Sequence, residues 1–213
     1  MTRRKFLFIH QNFPGQFVHS AAELVRNEHE VVALGIKGRA MPGVRYIRYA
    51  PNPPARISEV EAARDFETKI VRGLACAQVM EQLRMQGFVP DTIVAHPGWG
   101  ESLFCKDVWP GARMLMFGEF YYSATGADYN FDREFGLDNV AARARLRMKN
   151  TVHLHALEMA DAGYTPTQWQ HRQVPPAYRH KMQVIFDGID TEVVAPAPGA
   201  VVQLQRDDIR LAP

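Results

Sequence analysis

Apolar residues fall in short runs along the chain, separated by polar stretches with turn chemistry. Lys5 to His10, Glu30 to Ile36, Val44 to Ala50, Asp91 to His96 and Arg113 to Gly118 are runs of this kind. Short continuous runs predict parallel strands buried on both faces. Gly163 to Thr165 and Met182 to Phe186 predict two further strands. Between the runs the period becomes helical. Gly15 to Asn27 places Phe17, Ala21, Leu24 and Val25 on one face. Ser58 to Gly87 predicts a long helix striped by Phe66, Ile70, Leu74, Ala77, Met80 and Leu83. Ser58 and Glu61 have capping-box spacing at its start, and Gly87 supplies a stop. Glu101 to Asp107 predicts a short helix, Asp138 to Asp161 a long one and Pro166 to Gln173 a helical turn. Pro51-Asn52-Pro53-Pro54 reads as a rigid connector, and Tyr121 to Gly136 as a loop of aromatics and acids. This alternation predicts an α/β fold: one doubly wound, mostly parallel sheet over residues 1–190, with helices on both faces. After Asp190 the pattern dissolves, and residues 191–213 read as a tail or a linker.

Composition narrows the classes. The chain has 213 residues, 46% of them hydrophobic, which is enough for a real core. A net charge of +2 gives no concentrated basic face, so no nucleic-acid partner is expected. Two cysteines cannot form a disulfide scaffold, which points to a reducing, cytoplasmic setting. The most apolar stretch, Met114 to Tyr122, is interrupted by Glu119 and is too short to span a bilayer. Arg3-Arg4-Lys5 is a weak candidate for meeting anionic lipid at the inner membrane face.

In open α/β sheets ligands bind beyond the carboxyl ends of the strands, near the point where strand order reverses. That rule selects His10 to Gly15, His96 to Glu101, Glu119 to Tyr122 and Asp187 to Asp190. Gly15 opens a helix after a strand, where backbone N–H groups suit an anion, although taken alone a plain Pro-Gly turn is the simpler explanation. The glycine fingerprints of dinucleotide-binding and P-loop proteins are absent. His10 and His96 border one cleft if their strands are neighbours. No zinc-ligand spacing occurs, and no serine lies in a hydrolase elbow. Cys76 and Cys105 read as buried, inert thiols. Glu119 interrupts a strand end, so it faces a wet cleft or pairs with a base. Asp128, Asp132, Glu134 and Asp138 read as solvated loop charges and a helix cap. Arg143, Arg147 and Asn150 share one helical face, which is solvated or faces phosphate.

These pieces carry a resemblance. His10-Gln11-Asn12-Phe13-Pro14-Gly15-Gln16-Phe17, Asp65-Phe66-Glu67-Thr68-Lys69 and Ala95-His96-Pro97-Gly98-Trp99-Gly100-Glu101 resemble segments of a subgroup of family-4 glycosyltransferases. Asp107-Val108-Trp109-Pro110, Glu119-Phe120-Tyr121-Tyr122 and Val184-Ile185-Phe186-Asp187-Gly188-Ile189-Asp190 follow in the same order. The resemblance implies a Rossmann-like N-terminal domain of a two-domain GT-B enzyme that retains anomeric configuration. It implies a nucleotide-sugar donor, no metal or bound cofactor, a sugar or lipid-linked acceptor, and partnership with the enzyme's own C-terminal domain. The two-glutamate donor motif of that domain matches nothing here. The isolated half is therefore expected to be inactive, and an open cleft face favours its homodimerisation. By resemblance, His96 is the catalytic candidate, a hydrogen-bond partner of the reacting sugar. Gly15 approaches the donor phosphates or the acceptor. Asn12, Gly98, Trp99, Glu119 and Tyr122 line the acceptor side, and Arg147 meets phosphate. The competing readings are a stand-alone, non-catalytic Rossmann-like binding module and a docking module using the aromatic loop from Tyr121.

Overall fold

Seven strands lie side by side in the order β3-β2-β1-β4-β5-β6-β7. They are β1 (Lys5–Ile9), β2 (Glu30–Gly35), β3 (Val44–Arg48), β4 (Thr92–Ala95), β5 (Arg113–Phe117), β6 (Ala162–Thr165) and β7 (Met182–Val184). Every neighbouring pair is parallel. This computed structural model describes residues 2–52, 58–127, 129–132, 134, 139–201, 204–206 and 209–211. Of the residues singled out above, Pro53, Pro54, Asp128, Gly136 and Asp138 lie outside that set.

The central strands β1, β2, β4 and β5 are mainly apolar because both faces of the sheet are covered there, whereas edge strand β3 carries exposed Arg45 and Arg48. Alternate side chains feed two cores, as the period of two requires. Leu7, Ile9, Val32, Leu34, Ile93, Ala95, Met114 and Met116 join one core with Cys76, Met80 and Leu83 of helix α2 (Glu61–Met85). Cys105 of α3 (Cys105–Val108) and Ala156 and Leu157 of α5 (Thr151–Met159) complete that face. Phe8, Val31, Ala33, Val94 and Phe117 point the other way. They meet Phe13, Phe17 and Ala21, the last on α1 (Val18–Arg26). The expected doubly wound sheet is therefore the fold, and all seven of its strands are parallel.

Several element boundaries differ from the sequence expectation. A 3-10 turn over Gly15–Phe17 precedes α1, so the helix proper starts at Val18. Helix α2 starts at Glu61 and not at Ser58. The Ser58 hydroxyl accepts from the Val60 N–H at 3.2 Å, and the Ser58 N–H donates to Glu67 at 2.7 Å. The Ser58–Glu61 capping box does not form, because Ser58 lies too far ahead of the first turn. The predicted Glu101–Asp107 helix is observed only as Cys105–Val108, while Glu101 and Ser102 are buried in the turn before it.

The predicted long helix from Asp138 is two helices, α4 (Val140–Lys149) and α5, with Asn150 at the joint. Asn139 caps α4 by accepting from the Ala142 N–H at 2.9 Å. Asn150 therefore does not extend the Arg143–Arg147 face; its side chain is drawn to the backbone of Tyr122. Helix α6 (Gln168–Gln173) joins β6 toward β7, and β7 ends at Val184, leaving Ile185 and Phe186 exposed. In the tail, β8 (Leu204–Arg206) pairs antiparallel with β9 (Ile209–Leu211), where the sequence pattern predicts no strand. Among the described residues no helix is long and apolar enough to cross a membrane.

Candidate functional site

The strand order reverses at β1, whose neighbours are β2 and β4. The carboxyl ends of β1 and β4 carry His10 and His96. Registration of Ile9 with Ala95 sets the next residues side by side. The two imidazoles meet edge to face with centroids 5.2 Å apart, as neighbouring strand ends predict. Both are buried, at 2% and 3% exposure.

Local turns fix each ring. The Asn12 N–H donates to His10 Nδ1 at 3.0 Å, so the His10 proton sits on Nε2 and donates to Gln16 Oε1 at 2.8 Å. The Gln16 amide donates to Glu119 Oε1 at 3.0 Å. The Gly98 N–H donates to His96 Nδ1 at 3.2 Å, and His96 Nε2 donates to Glu119 Oε2 at 2.8 Å. One carboxylate thus gathers both histidines, His96 directly and His10 through Gln16. Glu119 both pairs with a base and keeps 42% of its side chain exposed to solvent.

Two glycines are required by this arrangement. Gly15 has φ +49°, and a Cβ there would lie 2.4 Å from His10 Cε1. A Cβ on Gly98 would lie 2.8 Å from His96 Cε1. Trp99 stacks on His96 with centroids 4.2 Å apart and planes 19° apart, so one indole face covers the histidine. Both His96 nitrogens are engaged and the ring is shielded, so Glu119 is the polar group this pair presents to solvent.

Charge follows burial. Desolvation first, and then repulsion from His96, lower the His10 pKa to about 4, so the ring is neutral at pH 7. The His96 hydrogen bond holds the Glu119 carboxyl below its ordinary range. His153 is buried on α5 and lowered to about 3 by desolvation, with the Lys69 charge adding to it. Burial and then Glu119 raise the Asp187 carboxyl, which reaches this region from the segment after β7.

The remaining sequence candidates scatter. Asn12 is exposed and lines a cavity of about 360 Å3 with Pro14, Gly15, Lys37, Gly38 and Arg39. Tyr122 lies three residues beyond Glu119, with its N–H and C=O both held by the Asn150 side chain, at 2.9 and 2.7 Å. Arg147 is exposed on α4 near Tyr121 and outside the histidine cluster. Gln16, the link between His10 and Glu119, escaped the sequence reading. Its signal was its place in the His10–Phe17 segment that carries the resemblance, one residue after Gly15. Among the described residues no group of three or more His, Cys, Asp or Glu is arranged to hold a metal ion.

The sequence matches the glycosyl transferase family 4 group over residues 27–194. The chain belongs to that family. Solved structures agree on the fold. UGT71G1 of Medicago truncatula, complexed with UDP-glucose, aligns at TM-score 0.53 and 12% identity, over 86% of this chain and 50% of that one. The catalytic domain of starch synthase IV from Arabidopsis thaliana, bound to ADP and acarbose, aligns at 0.53 and 12%, over 90% and 53%. A sucrose-phosphate synthase chain from Thermosynechococcus elongatus aligns at 0.52 and 14%, over 88% and 90%. No curated protein sequence matches. The sheet is that of a GT-B glycosyltransferase N-terminal domain, and the chain spans about half the length of the first two structures.

Proposed function

We propose that this family 4 chain is the acceptor-side half of a retaining glycosyltransferase that takes its sugar from a nucleotide-sugar donor. The observation that supports it most is the Glu119 carboxylate, held by His96 and Gln16 beside the strand-order reversal and partly open to solvent. An ionised carboxylate there accepts a hydrogen bond from a sugar hydroxyl. The pair of N–H donors behind it fixes its orientation, so less reorganisation is needed when the sugar arrives. In this reading His96 acts with Glu119, either through it or by turning its Nε2 toward the reacting sugar. Gly15 brings the backbone of the first turn close to the donor phosphates or acceptor. Asn12, Gly98, Trp99 and Tyr122 shape the acceptor side, and Arg147 contributes a peripheral phosphate contact. No metal takes part. The partner half is the enzyme's own C-terminal domain, and the isolated half does not turn over because half of the positioning is missing. A reducing cytoplasm, including the inner membrane face for a lipid-linked acceptor, suits two free buried thiols.

The test is nucleotide release by the full-length natural protein offered UDP-, GDP- and ADP-sugars with candidate acceptors. Wild type is compared with His96→Ala and Glu119→Gln. Release that falls at least a hundredfold in both variants supports the pair as one unit. Equal release in all three proteins removes the pair from the mechanism. No release with any donor overturns glycosyl transfer.

A further inference from the structure

A cavity of about 320 Å3 opens between α2 and α4, lined by Asp65, Tyr122, Tyr129, Arg145, Leu146 and Lys149. It adjoins the strand-end site. Tyr122 follows Glu119 closely in the chain, and the Lys69 backbone lies against Gly100, whose Cβ would stand 2.4 Å from the Lys69 carbonyl oxygen.

Among the described residues the charges around this cavity do not balance. Lys69, beneath it, is 4% exposed; its ammonium meets Asp65 at 2.7 Å and the Lys149 carbonyl at 3.4 Å. A buried ammonium needs its carboxylate, so the Asp65 charge is committed. Glu61 at the rim is committed to Arg145, at 2.6 Å. Lys149 is left over. Its ammonium lies 3.8 Å from the Tyr122 ring centroid and has no ion-pair partner among the described residues. A ring face attracts the cation without neutralising it. Lys69 and Lys149 also repel. Burial, and then the Lys149 and Arg72 charges, push the Lys69 ammonium down against the pull of Asp65.

We infer that this cavity binds an anionic group, phosphate or carboxylate, carried by the sugar acceptor. The inference rests on the glycosyltransferase reading above and names the class of its acceptor. An anion beside Lys149 neutralises the surplus charge and relieves its repulsion with Lys69. A neutral sugar gains nothing from either.

The experiment titrates the 213-residue chain with glucose 6-phosphate, glucuronate and glucose, followed by amide NMR shifts around Tyr122 and Lys149. Glucose 6-phosphate or glucuronate is expected to saturate with Kd on the order of mM, and glucose is not. The better of the two anions tells phosphate from carboxylate. Lys149→Gln is expected to weaken that binding at least fivefold with Tm unchanged. Raising the salt to 0.5 M is expected to weaken it too, since screening shortens the reach of the charge. Arg84→Gln removes one charge from the exposed end of α2 and is expected to leave binding unchanged. Glucose binding as tightly as the anions, an equal loss in Arg84→Gln, or no shifts with either anion overturns the inference. Nucleotide release by the full-length protein is scored separately. Release without anion binding leaves the transferase and refutes this pocket; anion binding without release does the reverse.

Discussion

Acid tests the buried histidines most directly. His10 and His153 fold as neutral rings with pKa lowered to about 4 and about 3, against 6.5 in an open chain. Below pH 6.5 the unfolded chain therefore binds protons that the fold refuses. The stability these groups allow at pH 7 is lost as pH falls from 6.5 through the folded values. Each pH unit costs about 1.4 kcal/mol per histidine, so at pH 4.5 the two together cost about 5 kcal/mol. That is comparable with the whole stability of many domains, about 5–15 kcal/mol. Two carboxyls work in the opposite sense. Burial raises Glu101 and Asp187, so the fold takes up their protons before the unfolded chain does and gains stability in acid. The wild-type slope alone is therefore indecisive, and the variants carry the test. Urea unfolding, followed by tryptophan fluorescence and circular dichroism, is run at pH 7 and pH 4.5 on wild type, His10→Gln and His153→Gln. Each variant is expected to lose about 2.5 kcal/mol less than wild type between the two pH values. Parallel losses in all three proteins would refute the assignment of neutral, buried imidazoles.

Gly98→Ala puts a methyl 2.8 Å from His96 Cε1 and displaces the ring from its Gly98 N–H. A cost of about 2 kcal/mol lowers Tm by about 4–8 °C, and full-length activity drops at least tenfold; a Tm within 1 °C of wild type contradicts the packing. Asn150→Ala removes two hydrogen bonds to the Tyr122 backbone. About 1 kcal/mol is expected for each, with amide exchange at Tyr122 at least tenfold faster, and unchanged exchange would show that Asn150 does not hold this loop.

Some of this protein was legible in the residues alone. Short apolar runs such as Phe6–Ile9 and Ile93–Ala95, alternating with helical periods, suit strands buried on both faces, so the doubly wound parallel sheet followed from local pattern. Strand ends are where such sheets bind ligands, which selected His96, Glu119 and Gly15 before any contact was known. Helix limits were less legible. Ser58 has capping chemistry, yet its hydroxyl and N–H turn to Val60 and Glu67. The helical period also runs through Asn150 without a break, because a bond to Tyr122, 28 residues away, leaves no mark on it.

The wiring of the site was decided by the tertiary structure. Hydrogen bonds between side chains depend on distances set by strand register and helix packing. Gln16 and Glu119 are 103 residues apart, and no spacing rule joins them. The same holds for Lys69 and Lys149, whose ammonium-to-carbonyl contact exists only because α2 and α4 lie side by side. Periodicity records which way a residue faces within its own element. Which residue it faces across the cleft is set only when the elements come together.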